Sequence, residues 1–106
     1  MFTIALQFIK IFFTTVFYVS PILVFLVFSI SILGLIVGKI EKWHPMDSLY
    51  FAFITATTVG YGDFHPESKV SKCLSIFVAL TGLVLTGILV AIGVFSVEKV
   101  FQTINK

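Results

Sequence analysis

The chain reads as an all-α membrane protein with two spanning helices on either side of a re-entrant segment, and three observations carry that reading. Hydrophobic residues make up 58% of its 106 residues and charged residues 11%, with a mean hydropathy of +1.13, the composition of a chain whose solvent is lipid. Ile11 to Gly38 is 28 residues without a charge and Cys73 to Val97 another 25, whereas about 20 apolar residues cross the hydrocarbon core. Between them lies a third apolar stretch, Ser48 to Gly62, whose 15 residues are too few to cross as a helix. It must enter and leave on one side, and non-helical backbone is tolerated at that depth only where it is buried in protein or lines a watery cavity.

The first nineteen residues place Thr3, Gln7, Lys10, Thr14 and Tyr18 three or four apart, a helical polar stripe opposite an apolar face. Such a helix suits the membrane surface; the alternative is that it simply extends the first crossing. A single helix from Phe2 to Gly38 would measure about 55 Å, longer than a bilayer of about 40–45 Å with its headgroups. The expected break is at Ser20-Pro21, with proline in a first turn. This divides the chain into an interfacial amphipathic helix over 1–19 and a membrane domain over 20–106. No basic segment precedes the apolar run and no small-residue cleavage site follows it, which argues against a secretory signal.

The outer helix is expected over 21–40. Gly34 and Gly38, four apart, permit close helix contact, and the second spanning helix is the expected partner. Trp43 reads as an interfacial anchor and His44 as a solvated loop residue rather than a metal ligand or pH sensor. Pro45 suits a first turn, and Asp47 complements the exposed N–H groups there. A short helix over 45–57 follows, its carbonyl end directed into the membrane and favouring a cation.

Next comes Thr58-Val59-Gly60-Tyr61-Gly62-Asp63. Gly60 and Gly62 can take positive φ values that strain other residues, so successive carbonyl oxygens can turn toward one axis while Val59 and Tyr61 point into a supporting wall. Four such strands around an axis give stacked rings of oxygens that replace the hydration shell of K⁺, as in potassium channels. One chain supplies a quarter of each ring. The reading therefore requires a homotetramer in a lipid bilayer, with monovalent cations as its partners and no cofactor.

From Trp43 to about Glu98 the chain resembles the pore module of tetrameric potassium channels. Its two-helix layout is similar to that of small bacterial two-transmembrane channels, including those that pass both Na⁺ and K⁺, and His44-Pro45-Met46-Asp47-Ser48-Leu49-Tyr50-Phe51 resembles that group especially. The filter departs from the non-selective members, because Tyr61 and Asp63 match the potassium-selective pattern. The resemblance implies ion sites built from the carbonyls of Thr58, Val59, Gly60 and Tyr61 with the Thr58 hydroxyl. A weakly selective Na⁺/K⁺ channel is the alternative. The resemblance also implies filter support from Gly62, Asp63 and Tyr50, whose hydroxyl is placed to donate a hydrogen bond to Asp63. Ile54 stands where some members carry a glutamate.

The inner helix is expected over 70–100, completing a pore domain with the filter at 58–63. The resemblance makes Gly82 a gating hinge, with Gly87 as a second candidate, and turns Thr86 toward the cavity. Packing is the rival explanation for the glycines, since Gly87 and Ala91 form a small-xxx-small pair. For Thr81 and Thr86 the rival is a bond back to the helix's own carbonyls.

All seven basic residues are lysines, which excludes an Arg-rich voltage sensor and offers no basic face for nucleic acid. Cys73, the single cysteine, reads as a small apolar helix residue. Hydroxyls, histidines and acids form no nucleophile-base pattern, so no enzyme is expected. A membrane-hairpin scaffold would not explain the carbonyl-lining sequence, and a potassium-transporter subunit needs four repeats where this chain has one. Lys10, Lys99 and Lys106 flank one membrane face and Lys39, Lys42, Lys69 and Lys72 the other, a balance that, if anything, opposes the family topology. Both termini are nevertheless expected in the cytoplasm of a plasma-membrane protein. Glu41, Asp47, Asp63 and Glu67 would form an acidic outer rim. With only the short tail after Val100 in this sequence, no cytoplasmic ligand-binding domain is expected within it.

Overall fold

The computed structural model describes residues 1–105, which form three helices: α1 (Phe2–Glu41), α2 (Pro45–Ala56) and α3 (Lys69–Ile104). α1 and α3 run antiparallel. Met1, Ile4 and Phe8 lie beside Val97, Val100 and Phe101 around an apolar cleft of about 400 Å³ at one end. At the other end the Glu41 carboxylate accepts the Glu67 N–H. The shorter α2 folds back between α1 and α3 at this second end, in a body of 57 × 25 × 20 Å.

Both long helices are long and apolar enough to cross a membrane, and only 28% and 22% of their most apolar windows are buried. They are not the core helices of a soluble protein. The chain exposes 7281 Å², against about 5,900 Å² for a globular protein of its mass. Lipid or further copies of the chain must cover the excess.

The break expected at Ser20-Pro21 is absent, because α1 is helical from end to end with Pro21 inside it. Proline removes one N–H and leaves the carbonyl four residues back, at Phe17, without its helical donor. Packing of the first turns against the end of α3 keeps the two parts of the rod in line, so tertiary contact overrides the local preference. α2 stops one residue short of the expected end, with Thr57 as its C-cap. α3 starts at Lys69, where Ser68 Oγ accepts the Ser71 N–H at 3.1 Å, and continues past residue 100 to Ile104. Lys106, counted among the inner lysines, lies outside the described residues.

Gly34 and Gly38 do not face α3 as expected. A Cβ at Gly34 would meet the Ala52 Cβ, and one at Gly38 would land on Ser48, so this pair admits α2. The same need explains Gly82, where a Cβ would strike the Ala56 backbone. Ser48, Ala52 and Ala56, one turn apart, thus give α2 a stripe of small residues that nestles between α1 and α3. Ile30, Ala52, Ala56 and Val78 form the buried core, with Leu33, Phe53 and Leu85 packed against it.

Candidate functional site

α2 aims the site. His44 is its N-cap and accepts the Met46 N–H on Nδ1 at 3.1 Å, satisfying one of the free donors of the first turn. The solvated-loop reading of His44 missed this role, because histidine ranks low among capping residues. Asp47 sits in the first turn, where a carboxylate complements the helix dipole. At the far end the Thr57 N–H and hydroxyl both donate to the Phe53 carbonyl, at 3.0 and 2.6 Å.

The chain then turns outward with an alternating backbone. φ is +67° at Thr58, +54° at Gly60 and +84° at Gly62, while Val59 and Tyr61 keep negative values. Every second residue is left-handed. A regular strand points its carbonyls alternately to either side, whereas alternation of handedness gathers N–H groups on one side and carbonyls on the other. Two hydrogen bonds fix which side is which: Thr58 N–H donates to the Thr55 carbonyl at 3.1 Å and Gly60 N–H to the Ile54 carbonyl at 3.2 Å. In a trans peptide the N–H and C=O point in opposite directions, so these bonds turn the Thr57 and Val59 carbonyls away from α2. Left-handed backbone at Gly60 and Gly62 is what the sequence suggested. At Thr58, where it costs roughly 1–2 kcal/mol, only the structure reveals it.

Beyond the filter, Asp63 accepts the Phe64 N–H on Oδ1 at 3.2 Å. Tyr50 faces Asp63. Partial desolvation, then the neighbouring Asp63 carboxylate, raise the Tyr50 hydroxyl above its ordinary pKa. Val59 and Tyr61 depart from expectation: they are 50% and 72% exposed, because one chain provides no wall behind them. Phe64 touches Trp43 and Tyr50, so Trp43, read from sequence as an interfacial anchor, also packs against the chain while staying partly exposed.

The candidate gating residues are separate from this cluster. Gly82 is buried against α2, whereas at Gly87 no atom beyond its own helical turn lies within 4 Å of where a Cβ would stand. α3 is helical through both. Thr86 is half-buried. Thr81 donates back to the Phe77 carbonyl at 2.8 Å, the local bond left open for it above.

A re-entrant helix ending in a left-handed, carbonyl-presenting loop between two long apolar helices invites comparison with known proteins. A family model described as "Ion channel" matches residues 11–97. The chain belongs to this ion-channel family. Among curated relatives, the channel is 47% identical over 45 residues to Two-pore potassium channel 2 of Arabidopsis thaliana, covering 42% of this chain and 10% of the relative. It is 33% identical over 82 residues to TWiK family of potassium channels protein 7 of Caenorhabditis elegans, covering 72% of this chain and 15% of the relative. Against a voltage-gated potassium channel of Aeropyrum pernix it is 43% identical over 58 residues, 55% of this chain and 18% of the relative. The channel thus spans less than a fifth of each of these relatives. No solved structure matches it.

Proposed function

We propose that this channel conducts K⁺ passively and selectively through a homotetrameric pore. The observation that carries the reading is the alternation of left-handed backbone at Thr58, Gly60 and Gly62 with amides bonded back to α2. It leaves oxygens free to replace water around a dehydrated cation. Carbonyls of Thr58, Val59, Gly60 and Tyr61 with the Thr58 hydroxyl form the ion sites, and the C-terminal end of α2 stabilises a cation below them. Gly62, Asp63 and Tyr50 hold the filter from behind. Fourfold symmetry closes the rings, and neighbouring copies cover Val59 and Tyr61.

The remaining assignments follow the same reading. The architecture is that of the bacterial two-transmembrane channels, close to the Na⁺/K⁺-conducting group through the stretch His44 to Phe51, yet with a potassium-selective filter. Both termini are cytoplasmic, with the N-terminal end of the continuous α1 emerging at the inner face of the plasma membrane. Thr86 lines the cavity. The opening hinge belongs at Gly87 rather than Gly82, because bending at Gly82 would pull α3 off the Ala56 backbone on which the filter rests, while Gly87 is unobstructed.

Reversal potentials of the purified protein in planar bilayers with K⁺ on one side and Na⁺ on the other test the proposal. Reversal far from zero, with the sign that holds back K⁺ flow toward the Na⁺ side, supports it. Values near zero establish the weakly selective Na⁺/K⁺ channel instead, and absence of cation current refutes both.

A further inference from the structure

We propose that Trp43 and Glu41 are positioning residues for the filter, tying the outer end of α1 to the segment that leaves it. This rests on the filter reading above. The tie is made at two points. Glu41, the last residue of α1, accepts the Glu67 N–H on its carboxylate, a charge-assisted bond. Trp43 meets Phe64 edge-on, with centroids 5.4 Å apart and rings at 73°, and meets Phe51 of α2 at 5.1 Å and 61°. These are preferred aromatic geometries.

Local backbone explains why Trp43 reaches inward. Lys42 adopts φ +63° as a left-handed cap, and the Trp43 N–H donates to the Gly38 carbonyl at 2.8 Å, closing α1 and folding the chain back over α2. Phe64, gripped by Trp43 and also touched by Tyr50 at 6.1 Å, follows Asp63 directly. Its ring is therefore one peptide away from the end of the filter. The filter itself is lightly held within the chain, since residues 58 to 63 are exposed and nothing lies within 4 Å of a Cβ built at Gly60 or Gly62. The clamp at Phe64 and the tie at Glu67 restrain its exit from the side of α1.

Trp43 is the only tryptophan in the chain, so its emission reports on the clamp directly. With the full chain in lipid vesicles, replacing Na⁺ by K⁺ should shift that emission saturably, and Phe64→Ala should abolish the shift. In parallel current recordings, Trp43→Ala should make K⁺ current decay roughly two- to tenfold faster on withdrawal of external K⁺, the change expected from losing one aromatic contact. Trp43→Phe should restore most of the wild-type rate. Glu41→Ala should act in the same direction and Glu41→Gln less, because its amide oxygen still accepts the N–H. If Trp43→Ala fails to assemble, Trp43→Phe and the Glu41 pair carry the comparison. Wild-type decay in Glu41→Ala and in the assembled Trp43 variants, with emission indifferent to K⁺, overturns the inference. A wild-type protein that passes no K⁺ overturns the filter reading itself.

Discussion

Around Gly34, Gly38 and Gly82 the helices approach so closely that no Cβ fits, whereas Gly87 and Gly93, further along α3, face open space. The outer half is built on the absence of side chains, because α2 must sit deep enough to present the filter, and only a narrow slot between α1 and α3 admits it. The inner half meets through interchangeable apolar residues such as Ile4, Phe8, Val97 and Val100. Position is critical in the first region and buried area in the second. On the proposed reading, a conducting filter needs its oxygens placed within a fraction of an ångström while a gate needs freedom to move, and the two kinds of packing would supply those separately.

Substitutions at the glycines can break or sharpen this contrast. The largest effect is expected from Gly82→Ala, where the new methyl meets backbone that cannot rotate away. Overpacking of about 1–3 kcal/mol per chain, repeated in four copies, should lower the yield and melting temperature of the tetramer on size-exclusion chromatography. Gly60→Ala comes next. Its methyl has space but the left-handed backbone does not suit it, so conduction should vanish while the tetramer still assembles, and normal currents would count against the filter assignment. Gly34→Ala should destabilise by an amount in the same overpacking range, and adding Ala52→Gly on the facing turn should recover part of the loss, measured as a melting temperature. No recovery would mean that this pair is not the contact described.

Smaller effects probe the edges of the comparison. The folded state favours protonated Tyr50 beside Asp63, so its contribution is complete below the ordinary value of 10.0 and is lost as pH rises through the higher folded value. Currents recorded against external pH should decline in that alkaline window, and Tyr50→Phe should remove the decline. Gly93→Ala, at an open position of the inner half, should be neutral or stabilise by up to about 1 kcal/mol through helix propensity. A destabilised Gly93→Ala tetramer would show that the inner half also depends on close approach between copies.

Much of this architecture is legible in the amino acids alone, for physical reasons that differ by region. Two uncharged runs of spanning length and a short apolar stretch between them specify the helices, because lipid penalises charge regardless of what each helix touches. Glycines at 60 and 62 announce a left-handed backbone. Thr58 does not, since the strain on it is imposed by the loop closing onto Thr55 and Ile54. Gly34 and Gly38 signal close contact without saying with what, and the choice of α2 over α3 comes from the chain folding back at Trp43. Pro21 read as a break because its local cost is visible in sequence, whereas the packing of residues 1–9 on the end of α3 is not. The roles of Phe64 and Glu41 depend on contacts 21 and 26 residues away in the chain, beyond any local pattern.

The central claim is that peptide oxygens of residues 58 to 61, repeated by fourfold symmetry, hold the permeating ion. Anomalous diffraction from crystals of the protein grown with Tl⁺ in place of K⁺ tests it most directly. The account predicts a column of ions on a fourfold axis, each ringed by oxygens of Thr58, Val59, Gly60 and Tyr61. Ions bound elsewhere, or an assembly without that axis, would contradict it.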